Sequence, residues 1–167
     1  YAIDHGLVGS EMCIRDSLIT GGSDGLGYAS AELLSSEGAK VIICGRRGDY
    51  LNEKAKTISE KTNNNVLAIQ ADVSKAEDCK RLVEETISKF KKIDILVNNA
   101  GASAAALFED VSDKNWEDDI NLKLMSTIRM CRLVIPYMKS NDKGVIINAT
   151  IGGGKACLLY TSDAADE

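Results

Sequence analysis

Thr20-Gly21-Gly22-Ser23-Asp24-Gly25-Leu26-Gly27 places four glycines in eight residues. Leu18-Ile19-Thr20 before it has the apolar character of a short strand's end. After it, Leu26 to Glu37 has helical spacing, with Leu26, Ala29, Leu33 and Leu34 expected on one face and Gly38 where a left-handed cap ends a helix. A glycine-rich turn between a strand and a helix suits a phosphate. Glycine permits positive φ and close backbone approach, and the free N–H groups of the helix start favour an anion. A glycine-rich turn alone also fits an ordinary tight turn; the strand-turn-helix context is what favours the phosphate.

Outward from this turn, strands and helices alternate. Val41-Ile42-Ile43 lies in a run, Lys40 to Cys44, that suits a strand buried on both faces. Tyr50 to Lys61 reads as a helix with Leu51, Ala55 and Ile58 inside, and Val66 to Ala71 as a third strand. Ser74 and Glu77 have the spacing of a capping box. The helix they would open carries Ala76, Cys79, Leu82, Val83, Ile87 and Phe90 at helical intervals. Ile93 to Val97 is a fourth strand. Ser112 should cap a segment through Trp116, Ile120 and Leu124 towards Met138, with Pro136 kinking it or marking its last turn. Val145 to Asn148 is a fifth strand. Such alternation predicts an α/β fold: one domain, a doubly wound parallel sheet with helices on both faces.

Candidate ligand residues fall at the predicted carboxyl ends of the strands. About twenty residues after the glycines, an acid would bind a ribose 2′-hydroxyl. Gly45, Arg46 and Arg47 stand there instead. A guanidinium suits a 2′-phosphate and a carboxylate would repel one, which favours NADP(H) over NAD(H). Arg46 is the expected reader, with Arg47 a solvated loop charge. Asp72-Val73 follows the third strand, where the carboxylate either receives an adenine amino group or opens the next helix. Asn98-Asn99-Ala100-Gly101 follows the fourth, a position that suits a ligand crevice.

The glycine motif, Asp72-Val73, Asn98-Asn99-Ala100-Gly101 and Asn121 within Ile120-Asn121-Leu122 together resemble the classical short-chain dehydrogenases/reductases. The resemblance covers Leu18 to Lys155 in order and spacing. Many such enzymes with this front half look like 3-oxoacyl-carrier-protein reductases. The resemblance implies a Rossmann-type sheet, here truncated after the fifth strand, and hydride transfer between NADP(H) and a small-molecule carbonyl or alcohol. It assigns Thr20, Gly21, Ser23, Asp24, Gly25, Leu26, Gly27, Arg46, Asp72, Val73, Asn99, Ala100 and Gly101 to the cofactor. It also implies a catalytic group of asparagine, serine, tyrosine and lysine. Asn121 matches the asparagine; a helix-kink residue with a satisfied amide is the plainer reading of it. Ile151 occupies the serine position and has no hydroxyl, while Thr150 beside it would point to the opposite face unless the turn at Gly152-Gly153-Gly154 redirects it. The tyrosine and lysine, spaced Tyr-x-x-x-Lys, would follow beyond Ala156. Tyr160 is not that tyrosine, since residue 164 is alanine.

The ends read differently. The reverse complement of codons for Met12-Cys13-Ile14-Arg15-Asp16-Ser17, read one base out of frame, encodes Cys157-Leu158-Leu159-Tyr160-Thr161-Ser162. An insert flanked by inverted adapter copies has this relation by construction, and both ends resemble translated sequencing adapter. Residues 1–17 and 157–167 are therefore expected to be non-native, with 18–156 the incomplete NADP(H)-binding domain. Six of the 25 acidic and one of the 20 basic residues lie in the two ends, so the net charge of -5 becomes 19 acids against 19 bases between them. That balance shows neither a nucleic-acid footprint nor a membrane-surface bias.

The single histidine, His5, lies in the first end. No His-based metal site is therefore expected in 18–156, and Glu117-Asp118-Asp119 reads as a solvated helix face. Cys44, Cys79 and Cys131 match no zinc spacing and read as buried thiols of a reducing, cytoplasmic setting. Lys89, Lys91 and Lys92 read as helix-end charges. No apolar run reaches the roughly 20 residues of a membrane span. Three readings stand: an NADP(H)-dependent reductase, expected to be a homo-oligomer when complete; a non-catalytic dinucleotide-binding module, favoured by Ile151; and a nucleotide-sugar or flavin-reducing relative with an altered site.

Overall fold

The computed structural model describes residues 15–102 and 107–149. Five strands alternate with helices: β1 (Asp16–Thr20), α1 (Gly25–Ser36), β2 (Lys40–Gly45), α2 (Gly48–Thr62), β3 (Val66–Gln70), α3 (Ala76–Phe90), β4 (Ile95–Asn98), α4 (Asp113–Ile120), α5 (Ser126–Ser140) and β5 (Val145–Asn148). A short 3-10 turn at Phe108–Asp110 precedes α4, and a π-helical turn at Asn121–Met125 joins α4 to α5. All strand pairs are parallel, in the order β3-β2-β1-β4-β5. The Rossmann-type expectation holds.

Alternation along the central strands divides the core into two layers, because successive side chains of a strand point to opposite faces. Leu18 and Ile42 join Leu82, Val83, Met130 and Val134 in one layer. Ile19, Val41 and Ile43 join Ala31, Leu51, Ala55 and Ile58 in the other. The inner faces expected for α2 and α3 are the ones buried, except that exposed Ala76 is replaced by Thr86.

Three local expectations need correction. In α1 the buried residues are Gly27, Ala31 and Ser35, whereas Leu26 and Leu33 are 74% and 63% exposed and Ala29 is exposed. Close approach sets this face: a Cβ on Gly27 would sit 2.2 Å from the Gly21 carbonyl oxygen, Ala31 packs into the core layer, and the Ser35 hydroxyl lies 2.7 Å from that of Thr62 on α2. Leu34 still packs against the core edge. The capping box before α3 does not form. Lys75 is the cap residue without a side-chain bond, and the Ser74 hydroxyl donates backwards to Asp72 Oδ1 at 2.7 Å. Lys92, placed among helix-end charges, instead donates to the buried Asp94 carboxylate at 2.5 Å.

Ser112 caps α4 as expected, accepting the Asn115 N–H at 3.2 Å. Pro136 lies inside α5, about a turn before its end. β1 takes in Asp16 and Ser17, two residues earlier than the apolar strand end read from sequence. β5 forms one edge of the sheet, with Val145 and Ile147 half exposed.

Candidate cofactor site

The strand order reverses between β1 and β4, and in open α/β sheets ligands bind outside the carboxyl ends of strands at such a point. Both strands end here in polar residues that hold one another. The Thr20 hydroxyl oxygen accepts the N–H groups of Asn99 and Ala100, each at 3.0 Å, and donates to the Val97 carbonyl at 3.3 Å. The Asn99 amide donates to the carbonyls of Thr20 and Gly21 at 3.2 and 3.1 Å. Thr20 and Asn99, both expected at the cofactor, fasten the glycine turn to the end of β4.

Within that turn Gly25 has φ +53°, and a Cβ added to it would meet no atom within 4 Å. The left-handed backbone and the open space above it are what a closely approaching pyrophosphate requires. Gly27 is instead filled from below by Gly21 and Asn99. The turn thus has one face closed by packing and one open, with Leu26 exposed at the helix start. This arrangement fits a dinucleotide. Gly101 is exposed beyond Ala100.

An open cleft of about 550 Å³ lies along β3 and α3, lined by Arg46, Gln70, Asp72, Lys75, Asp78 and Arg81 among others. Arg46 is exposed, and its guanidinium makes no ion pair among the described residues. Gln70 Nε2 donates to the Arg46 carbonyl at 2.9 Å and fixes the backbone there. Arg81 is tied to Asp78 and Glu85, each at 3.1 Å. The Asp72 N–H donates to Asp78 Oδ2 at 2.7 Å, and this bond together with Arg81 holds the Asp78 carboxyl below its ordinary value. Asp72 Oδ1 is occupied by the N–H and hydroxyl of Ser74. Val73 is buried.

Arg47 is the solvated loop charge expected from sequence, and it also has partners. Although exposed, it donates to Asp24 Oδ2 at 2.5 Å, and its guanidinium lies 4.3 Å from the Tyr50 ring centroid. Ser23 reaches the same Asp24 oxygen at 3.4 Å.

Asn121 opens the π-helical turn and is half buried. Its Oδ1 accepts from Arg129 Nη2 at 3.2 Å, and Arg129 Nη1 reaches the Ser74 carbonyl at 2.9 Å. Thr150, Ile151 and the Gly152–Gly154 turn lie outside the described residues. Sequence reading missed Arg129. It also missed an amide pair across the register, where Asn98 Nδ2 donates to Asn148 Oδ1 at 2.9 Å. An asparagine at the end of both β4 and β5 was the available signal.

Among the described residues Cys44, Cys79 and Cys131 are free thiols; the first two are buried as expected, whereas Cys131 is only half buried. Burial pushes Cys44 up to about 12 and Cys79 up to about 11, which leaves both protonated and poor nucleophiles near neutral pH. Among the described residues no cluster of His, Cys, Asp or Glu could hold a metal ion, and no helix is long and apolar enough to cross a membrane. Asp118 and Asp119 pair with Lys114 and Lys123.

The short chain dehydrogenase family matches residues 16–160, and the chain belongs to that family. It is 36% identical over 134 residues to a 3-oxoacyl-[acyl-carrier-protein] reductase of Chlamydia trachomatis, covering 80% of this chain and 54% of that protein. It is 37% identical to the 17-beta-hydroxysteroid dehydrogenase type 3 of Danio rerio, covering 90% of this chain and 50% of the relative. The chain thus spans about half the length of the curated relatives it matches. Among solved structures, the L-sorbose reductase of Gluconobacter frateurii, complexed with NADPH and L-sorbose, superposes with a TM-score of 0.78 at 35% identity, covering 80% of this chain and 51% of that one. A metagenomic short-chain oxidoreductase in complex with NADP superposes equally, with a TM-score of 0.78 at 25% identity, covering 83% and 63%.

Proposed function

We propose that this chain is the cofactor-binding half of an NADP(H)-dependent oxidoreductase that interconverts a carbonyl and an alcohol by hydride transfer. The observation that carries the reading is the pairing of the open Gly25 turn at the sheet's switch point with the Arg46 guanidinium, which makes no ion pair among the described residues and lines a cleft at β3 and α3. Thr20, Asn99 and Ala100 hold the turn in shape. Ser23, Asp24, Gly25 and Leu26 line the pyrophosphate side, Gly27 lets the helix start close on the turn, and Arg46 meets the 2′-phosphate. Asp72 and Val73 flank the adenine, while Ala100 and Gly101 border the crevice. The nicotinamide cofactor supplies the hydride; the protein supplies binding, orientation and a proton. Asn121 is the catalytic-group member within the described residues, its amide oriented by Arg129. The Tyr-x-x-x-Lys pair of the catalytic group belongs downstream of β5.

We further propose that residues 1–17 and 157–167 are foreign to the gene. In support, Asp16 and Ser17 put polar side chains at fully buried positions of a central strand. A cytoplasmic setting suits the free thiols, and a homo-oligomer suits the exposed Trp116, Ile120 and Leu124. The non-catalytic module keeps one argument, the isoleucine at position 151.

The test is titration of the chain with NADPH and NADH. NADPH should bind more tightly, and Arg46→Asp should weaken NADPH about tenfold or more while leaving NADH nearly unchanged. Equal loss of both cofactors defeats the assignment of Arg46, and no affinity for either defeats the function.

A further inference from the structure

The two arginines after β2 are in different states, and the difference originates in the glycine turn. Both carboxylate oxygens of Asp24 are engaged by α2 and the residue before it. Oδ2 accepts from Arg47 Nη2 at 2.5 Å, and Oδ1 accepts from the Tyr50 hydroxyl at 2.6 Å. The Tyr50 ring lies 4.3 Å from the Arg47 guanidinium and 4.8 Å from Lys54 Nζ. Arg47 is therefore held on one side by a carboxylate and on another by an aromatic face. The Tyr50 hydroxyl, with Arg47 supporting it, also holds the Asp24 carboxyl below its ordinary value, so Asp24 is a full negative charge at neutral pH. A phosphate dianion approaching Arg47 would have to displace that carboxylate and meet its repulsion. Arg46 carries no such burden among the described residues.

We propose that Asp24, assisted by Tyr50, is a specificity-determining residue that withholds Arg47 from the 2′-phosphate and leaves Arg46 as its reader. The preference for a phosphorylated adenosine is then weaker than two adjacent arginines would give. The proposal rests on the dinucleotide reading above and deepens it.

The adenosine half can be probed alone, with 2′,5′-ADP and 5′-AMP titrated calorimetrically into the 167-residue chain. Asp24→Asn keeps an acceptor for Tyr50 and removes the charge. It should tighten 2′,5′-ADP by about three- to tenfold more than it changes 5′-AMP, so the effect on the 2′-phosphate is read from the ratio of the two. Adding Arg47→Gln to that variant should abolish the gain. Tyr50→Phe should give a smaller gain of the same sign, and it stands in if Asp24→Asn does not fold. Unchanged or weaker 2′,5′-ADP binding overturns the proposal, as does an equal gain for both nucleotides or a gain that survives without Arg47. If the unaltered chain binds both nucleotides and Asp24→Asn changes neither, only the restraint falls. If it binds neither, the dinucleotide reading falls and takes the restraint with it.

Discussion

At the carboxyl end of β1, Thr20 is 2% exposed and its hydroxyl takes part in three hydrogen bonds to β4 and the residues after it. At the amino end of the same strand, Asp16 and Ser17 are 1% and 0% exposed, and none of their side-chain oxygens has a partner among the described residues. Asp94 beside them accepts the Asp16 N–H and Lys92 on one oxygen and leaves the other unpartnered. The contrast is instructive because burial is equal at the two ends and only hydrogen bonding differs. A buried polar group is tolerated where its partners are provided and costs stability where they are not. The carboxyl end has an exception, since Asn98 Oδ1 is buried without a partner among the described residues.

Breaking the well-partnered end should have the largest effect. Thr20→Val keeps the shape and strands the N–H groups of Asn99 and Ala100. It should destabilise the chain by about 3 kcal/mol, read as a lower urea midpoint, and should abolish nucleotide binding. A fall of the same size for Ser17→Ala would erase the contrast between the two ends.

Repairing the other end should act in the opposite direction. Asp16→Val with Ser17→Ala should stabilise the chain by roughly 1–3 kcal/mol at pH 7. The gain should depend on pH. Burial raises the Asp16 carboxyl above its ordinary value; Lys92 and Lys40 oppose this, and Asp94 adds to it. A carboxyl whose folded value exceeds its unfolded one is best tolerated when protonated. Its penalty is least below the ordinary value of 3.8 and grows as pH rises through the raised folded value. The advantage of Asp16→Val should therefore widen on going from about pH 3 towards neutrality, and unfolding curves that stay parallel across that range would contradict it. Asp94 works against this trend in the unaltered chain. Burial alone would raise it, but Lys92 and the Asp16 N–H outweigh burial and hold it low, so its contribution is lost as pH falls through that lowered value.

The smallest effect belongs away from both ends. Lys80 and Glu84 are exposed and 3.8 Å apart on α3. Lys80→Ala should change stability by no more than about 0.5 kcal/mol, and the change should shrink in high salt. A larger loss would mean that exposed pairs, rather than buried hydrogen bonds, set the scale.

The regular elements were legible in the sequence because their signals are local. β2 reads as buried from Val41-Ile42-Ile43, and α2 buries the Leu51, Ala55 and Ile58 that its spacing indicated. The α1 face was misread because its leucines have ideal spacing, but the turn meets Gly27 and α2 meets Ser35, so small residues are the ones buried. The Ser74–Glu77 pattern failed for a similar reason, since Asp72 competes for the Ser74 hydroxyl.

The order of strands and helices, the glycine turn, the amides at the strand ends and the paired arginines all follow from the residues themselves, because period, turn chemistry and side-chain charge act over a few neighbours. Folding decided which of these groups are available. Thr20 meets Asn99 across 79 residues and Asp24 takes Arg47 across 23, so no local spacing could reveal that one arginine is engaged and the other open. Contacts of that length depend on sheet order and helix packing, which bring distant segments to the same edge and let them compete for the same donors and acceptors.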